Sequence, residues 1–404
     1  LAVSLLSSRI VKPVARFLGA PLPKIDNLTG TLAVENTTRK PRRTATTASA
    51  LMIGLALVGF IFVLGDSIKA SSSAAIEESL RADYMIGGTS AMSLNGFSPE
   101  FGTRLAAAPE IAAVTSMRMG YWDRDGSQDF LMGVDASTLD QTVSIGVTEG
   151  SLTALENGGV LVHEDVMKQQ GWALGDTIKM GFAKTGYQDV PIVGVFSENG
   201  VVGFNFLVGM DFYKANFAGY GTDVDTALAV KVADGVSPEQ ARATVDTIAV
   251  DYPNASVRDQ AEYRQSQEDA INQMLLMLNA LLALAVIIAI FGITNTLALS
   301  IFERTREIGL LRAVGMNRGQ IRRMVRWEAI IVAIIGTLLG ILVGLFFGVV
   351  VTAALRSQGI DHLSIPVAQI LGLVVFGAIA GLIAAILPAR RAAKLNILES
   401  IAYE

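Results

Sequence analysis

The sequence predicts a multi-pass α-helical membrane protein: four transmembrane helices and an inserted α+β extracytoplasmic domain. Three observations carry that prediction. Of 404 residues, 51% are hydrophobic and 17% charged, and the mean hydropathy is +0.47, a balance foreign to soluble domains. Residues 44–65, 270–302, 329–355 and 363–389 carry no charge over 22, 33, 27 and 27 residues. Each run exceeds the roughly 20 residues that cross a hydrocarbon core about 30 Å thick. Lysine and arginine gather at alternate ends of these runs, which fixes an orientation.

The elements follow in order. Residues 1–24 open with "LAVSLL", too short to span a bilayer and too uncharged at its start for a signal peptide. They read as the stub of an upstream transmembrane helix and a linker, in a chain that is the C-terminal part of a longer protein. Residues 25–43 read as an amphipathic entry helix ending in "TRKPRR", and 44–66 as the first span. Residues 67–269 form the external domain. The second span, 270–302, would be a helix of roughly 50 Å at 1.5 Å per residue, so part of it should stand clear of the membrane as a stalk. A polar loop, 303–328, leads to the third span, 329–355. A short external loop, 356–366, and the fourth span, 367–388, precede a tail at 389–404 that begins "ARRAAK".

The positive-inside rule places "TRKPRR", the seven arginines of 303–328 and "ARRAAK" in the cytoplasm. Residues 67–269 then lie outside. They hold 28 acidic and 13 basic residues, net −15, against 9 acidic and 19 basic elsewhere. The external strands are read at 82–88, 111–122, 129–134, 159–162, 176–182, 190–196, 205–209 and 226–232, where β-branched and aromatic residues cluster between Gly, Asp and Asn breaks. Helices interleave, with Ser98-Pro99-Glu100 and Ser237-Pro238-Glu239 as starts and Gly171 as a stop.

Chemistry is sought and not found. There is no cysteine, and the two histidines, His163 and His362, are far apart in sequence. "GDSIKAS" (65–71) has the wrong spacing for a phosphate loop. "HEDV" (163–166) lacks a second histidine and reads as a solvated helix start. "DRDG" (123–126) lacks the remainder of a calcium loop and reads as a hairpin turn. No catalytic residue, metal site or nucleic-acid surface emerges.

The segment "FERTREIGLLRAVGMNRGQIRRMVRWEA" (302–329) is the most informative. A short basic loop facing anionic lipid would suffice to explain its charge. The spacing says more. Glu303, Glu307 and Leu311 lie along one helical face, and Ile308, Leu311 and Val314 form an apolar stripe. Gly315 is a natural helix stop, Asn317 caps a second helix with Gln320 at its third position, and Ile321, Met324 and Val325 carry the apolar face to Trp327. A bent pair of amphipathic helices suits a groove on a cytosolic partner, and a lipid-facing loop remains open. In span three Gly336, Gly340, Gly344 and Gly348 repeat every four residues, and Gly377 and Gly381 do so in span four. Such stripes permit close helix contact, within one chain or between subunits. No acid or base lies deep in a span, which argues against ion-coupled transport.

The 302–330 segment resembles the signature loop of the FtsX-like permease family, which includes MacB-type exporters and lipoprotein-release permeases. "LPARRAAKLNILESIAYE" (387–404) is similar to the end of that domain, although Ile397 stands where many members have proline. "NLTGTLAVENTTRKPRRTATTASALMIG" (27–54) is similar to its entry. The resemblance implies an FtsX-like domain at about 275–398, a MacB-like periplasmic core at 67–269, and the second half of a two-unit permease. It implies a separate cytosolic ABC ATPase that carries ATP and Mg, with no cofactor on this chain. The ATPase-coupling element would use Glu303, Arg304, Glu307, Ile308, Leu311, Arg312, Gly315 and Asn317. Nucleotide-driven closure would then move the external domain by mechanotransmission, to export or extract a lipid, lipoprotein, peptide or drug across a bacterial cytoplasmic membrane. Membrane lipid, a second permease half and an external accessory protein are further partners. A signalling permease that controls a cell-wall hydrolase or senses an antibiotic is the alternative. A membrane receptor without an ATPase is a second.

Overall fold

The computed structural model describes residues 13–39, 41–88, 96–217, 223–356 and 359–395. Residues 1–12 of the stretch read as an upstream stub, and Ile397, fall outside the described residues. In chain order the elements are α1 (13–19), α2 (Leu22–Ile25), α3 (Asn27–Arg39), α4 (Pro41–Ser79), β1 (Tyr84–Gly88), α5 (Glu100–Ala106), β2 (Ile111–Arg124), β3 (Ser127–Val134), α6 (Ala136–Thr142), β4 (Val147–Gly150), β5 (Val160–His163), α7 (Glu164–Gln170), β6 (Thr177–Phe182), β7 (Gly186–Phe196), β8 (Phe206–Gly209), α8 (Met210–Phe217), β9 (Ala227–Val232), α9 (Pro238–Ala249), β10 (Ala255–Asp259), α10 (Gln260–Glu303), α11 (Thr305–Ala313), α12 (Arg318–Ala354) and α13 (Val367–Lys394). They fall into two compact units. One comprises Leu1–Ile68, Gln273–Leu355 and Leu363–Glu404; the other comprises Lys69–Asn272 and Arg356–His362.

In the first unit α4, α10, α12 and α13 are long and apolar enough to cross a membrane. All four outrun the charge-free stretches that announced them. α4 begins at Pro41, whose ring suits a first helical turn, and continues to Ser79 over 39 residues, well past the expected end at 66. No Gly or Pro follows residue 66 to stop it. α10 starts at Gln260 rather than 270 and has 44 residues. α12 starts at Arg318, so the expected second loop helix is the head of the third span. α13 passes through Pro388 to Lys394, which makes the start of the tail helical. Pro388 withholds a donor from the Ala384 carbonyl, and the Thr294 hydroxyl donates to that oxygen at 3.2 Å.

The glycine stripe of α12 lies against α4 of the same chain. A Cβ on Gly336, Gly340 or Gly344 would stand 2.7, 2.8 or 2.5 Å from the carbonyl oxygens of Ala48, Met52 or Ala56, and one on Gly348 would meet Val63 at 2.7 Å. Backbone cannot yield as a side-chain tip can, so only glycine permits this approach. Gly377 and Gly381 of α13 face Thr337 and Ala333 of α12 in the same manner.

The second unit is one ten-stranded sheet of order β10-β1-β9-β2-β3-β8-β5-β7-β4, with β6 pairing β2 and β7. β2 is its spine, pairing with β9 through Met117 and with β3 from Met117 to Arg124. At the tip of the β2–β3 hairpin Asp125 and Gly126 take φ of 50° and 86°, the pair of positive values that a tight twisted turn requires. α5 and α9 cover one end of the sheet over Phe101, Leu105 and Val245; α7 and α8 cover another over Trp122, Val162 and Tyr213. β4 and β10 were not anticipated, because their residues are uniformly exposed or uniformly half-buried and show no alternation.

Ser237 and Gln240 form a full capping box at α9. α5 starts at Glu100, with the Ser98 hydroxyl accepting from its amide at 3.3 Å. His163 corrects the expectation of a solvated helix start. It is 6% exposed, its Nδ1 accepts from the Asp165 amide at 3.3 Å, and its Nε2 donates to the Ser197 carbonyl at 3.0 Å. It is a buried N-cap.

Candidate coupling site

The arginine-rich segment is built on a break and a turn. α10 ends at Glu303, and Arg304 leaves the helical region at φ −111°, ψ 19°. Glu303, Glu307 and Leu311 therefore do not share one helical face, contrary to the spacing argument. Thr305 contributes to the break, since its hydroxyl donates to the Phe302 carbonyl at 2.7 Å. α11 then ends in a paired turn: the Met316 amide donates to Leu311 O at 3.0 Å and the Gly315 amide to Arg312 O at 3.1 Å. Gly315 takes φ +113°, and a Cβ there would meet nothing within 4 Å. The constraint at Gly315 is thus one of backbone conformation alone. Asn317 and Gln320 cap α12 reciprocally, each amide donating to the other's side-chain oxygen at 2.9 Å.

Two arginines tie this hook to the helices beside it. Arg304, 13% exposed, reaches Glu307 at 2.8 Å and Glu328 of α12 at 3.5 Å. Arg312 donates to the Leu395 carbonyl, the cap of α13. The inner side of the hook is apolar. Ile308, Met316, Ile321, Met324 and Val325 pack with Ala389 and Ala392 of α13, and Leu311 lies half-buried against them. Behind Arg304 lies a polar cavity of about 60 Å³ lined by Asn36, Thr44, Thr296, Ser300 and Glu328 among others. That is room for a few waters beside the guanidinium.

The outer side differs from expectation. Val314, assigned to the apolar stripe, is 88% exposed, and Leu310 is 49% exposed beside it. Arg306, Arg318 and Arg323 are exposed around them. Arg322 and Arg326 are half-buried, and their Nε atoms have no protein partner. The structure thus brings Arg304, Glu307, Ile308, Leu311, Arg312, Gly315 and Asn317 into one hook and leaves Glu303 exposed at the end of α10. Sequence reasoning missed Leu310, Glu328 and Leu395. Leu310 carried a signal, being an apolar residue one step off the inward stripe. The other two act through tertiary contacts that no local pattern announces.

Known proteins share both parts of this chain. Residues 279–397 match the model of the FtsX-like permease C-terminal domain, and residues 44–248, just over half the chain, match that of the MacB-like periplasmic core domain. The pyoverdine export ATP-binding/permease protein PvdT of Pseudomonas fluorescens is 24% identical over 397 residues, covering 90% of this chain and 57% of that one. The macrolide export ATP-binding/permease protein MacB of Bordetella avium is 30% identical over 188 residues, 44% of this chain and 27% of that one. The periplasmic region of MacB from Actinobacillus actinomycetemcomitans covers 47% of this chain and 94% of its own, at 13% identity and a TM-score of 0.38. The chain spans a little over half the length of its pyoverdine-export relatives.

Proposed function

This chain belongs to the ABC transporter permeases that carry a MacB-like periplasmic core and an FtsX-like C-terminal domain, placing it in the cytoplasmic membrane with an extracytoplasmic domain, and from that premise we propose that it couples ATP hydrolysis by an ABC ATPase to movement of that domain. The hook from Arg304 to Asn317, with Glu303 at the end of α10 beside it, is the contact with the ATPase, which binds the nucleotide and Mg. The work is export or extraction of a lipid, lipoprotein, peptide or drug without passage through a channel.

One observation carries this reading. The hook is fastened on its inner side to α12 and α13 through Glu328 and Leu395, while its outer side offers Leu310 and Val314 bare. A lipid-facing basic loop needs no such internal fastening. A lever does, because a push on α11 must reach several helices. α4 runs on past Ile68 and α10 begins before Gln273, so each helix includes residues of both units. Relatives named for pyoverdine and macrolide export favour export over signalling.

Val314→Glu tests the contact. A charge at a docked apolar position should weaken retention of the ATPase roughly tenfold or more, with insertion unchanged. If retention is unchanged while Arg318→Ala abolishes it, the segment acts through charge and the docking contact is wrong.

A further inference from the structure

A cavity of about 510 Å³ opens in the extracytoplasmic domain at the free ends of the β2–β3 and β6–β7 hairpins. Its described lining is aromatic: Tyr121, Trp122, Phe182, Tyr187 and Phe217. The volume lies in the range of small-molecule sites. Phe182, Phe217 and Trp122 are buried and form fixed walls; Tyr121 and Tyr187 are 43% and 56% exposed and stand at the mouth. Gly120 and Gly181 make the arrangement possible, since Cβ atoms there would stand 2.8 Å from Phe217 and 2.7 Å from Tyr187.

Polar groups in the lining are few and specific. Asp123 is the only lining residue with a formal charge among those described. Its Oδ1 accepts from the Tyr187 hydroxyl at 2.6 Å and from the Gly126 amide at 3.0 Å. Those donors hold the carboxyl below its ordinary range, so it is ionised at neutral pH. The nearby Arg124 is engaged by Asp129 at 3.1 Å. Asn216 is committed to Thr185, Gln188 and Phe212. Trp122 differs. Its indole Nε1 is buried without a hydrogen-bond partner, although the residue is 1% exposed and lines the cavity. That nitrogen is closed off from solvent, so Trp122 contributes a ring wall to the cavity and no hydrogen bond to its contents.

We propose that this cavity binds an amphipathic organic cation: a protonated amine at Asp123 and an apolar ring body against Phe182, Phe217, Tyr121 and Tyr187. The ring faces favour a cation electrostatically, and donation of the Tyr187 phenol to a carboxylate enriches that ring further. The ring already attracts an ammonium, with Lys179 Nζ 4.9 Å from its centroid. A domain of net charge −15 concentrates cations at its surface. The site is independent of the ATPase contact, so it stands or falls separately.

The test is calorimetric titration of the full chain in lipid nanodiscs with 2-(2-naphthyl)ethylamine and with the matching alcohol, which shares the ring and lacks the charge. The parent should bind the amine about tenfold tighter than the alcohol. Asp123→Asn keeps an acceptor for Tyr187 and Gly126, so the domain stays folded, and it should remove that preference while leaving the alcohol unchanged. Glu239→Gln, on α9, should leave both ligands as in the parent. Tyr187→Leu should weaken the amine more than the alcohol. Equal binding of amine and alcohol by the parent overturns the proposal. So does an amine affinity untouched by Asp123→Asn, which would mark partition into lipid.

Discussion

Helices α10 and α12 have nearly the same mean hydropathy across their most apolar segments, 2.8 and 2.9, yet 17% of that segment is buried within the chain in α10 and 56% in α12. The cause is side-chain size. α12 offers glycines to α4 and small residues to α13, so backbones meet at van der Waals distance along its length. α10 is held along one seam, Leu282, Val286, Ala289, Ile293, Leu297 and Ser300, whose steps of three and four residues trace a single stripe. Leu281, Leu284, Ile288 and Phe291 face away. A bilayer supplies no hydrophobic penalty for that exposure. α4 and α12 therefore pack as one rigid pair, whereas α10 is held along a single seam.

The largest effect should come from breaking the rigid pair. Gly344→Leu drives a side chain into the Ala56 carbonyl and should cost about 3 kcal/mol or more, seen as lost thermal stability in detergent. Gly372→Leu, with nothing within 4 Å, should stay within about 0.5 kcal/mol of the parent. Equal effects would mean that the glycine stripe is not a lock.

Arg304→Leu should cost about 2 kcal/mol, because it removes a cation that faces Glu328, which is 14% exposed. Adding Glu328→Leu should recover most of that loss. A double variant no better than the single would show that the pair is not the tie between the hook and α12.

The smallest contrast lies within α10. Ile293→Ala, at a fully buried seam position, should cost about 1 kcal/mol, less than in a water-soluble core because lipid replaces part of the lost contact. Phe291→Ala, 69% exposed, should leave protein stability within about 0.5 kcal/mol. A reversed order would place the seam on the other face.

Much of this was legible in the sequence. The four charge-free runs marked the spans, Gly315 and Asn317 marked the turn, and eight strands followed from β-branched clusters. Helix ends were not legible, because a membrane helix need not stop where its apolar stretch stops: α4 runs on to Ser79 through polar residues that sustain a helix. Arg304 was recognised by its place in a motif, but its partner Glu328 lies 24 residues on and is found only once α12 folds back. Val314 was assigned inward on spacing alone. It is the C-cap of α11, where the chain leaves the helix, and it is 88% exposed. The aromatic cavity was invisible, since its walls come from four strands and a helix.

The central claim is that α11 transmits force through its geometry rather than its charge, and Gly315 addresses it most directly. Gly315→Val meets no steric obstacle, so the chain should fold and insert, but φ of +113° is strained for a β-branched residue by about 1–2 kcal/mol and re-aims α11 against α12. The measurement is ATPase turnover by the assembled complex in nanodiscs, with Arg318→Ala as the charge control. Gly315→Val should lower the permease-dependent stimulation roughly fivefold or more, and Arg318→Ala should stay within about twofold of the parent, as befits one exposed charge. Full stimulation with Gly315→Val, together with its loss in Arg318→Ala, would contradict a geometric lever and leave a charged, lipid-facing loop in its place.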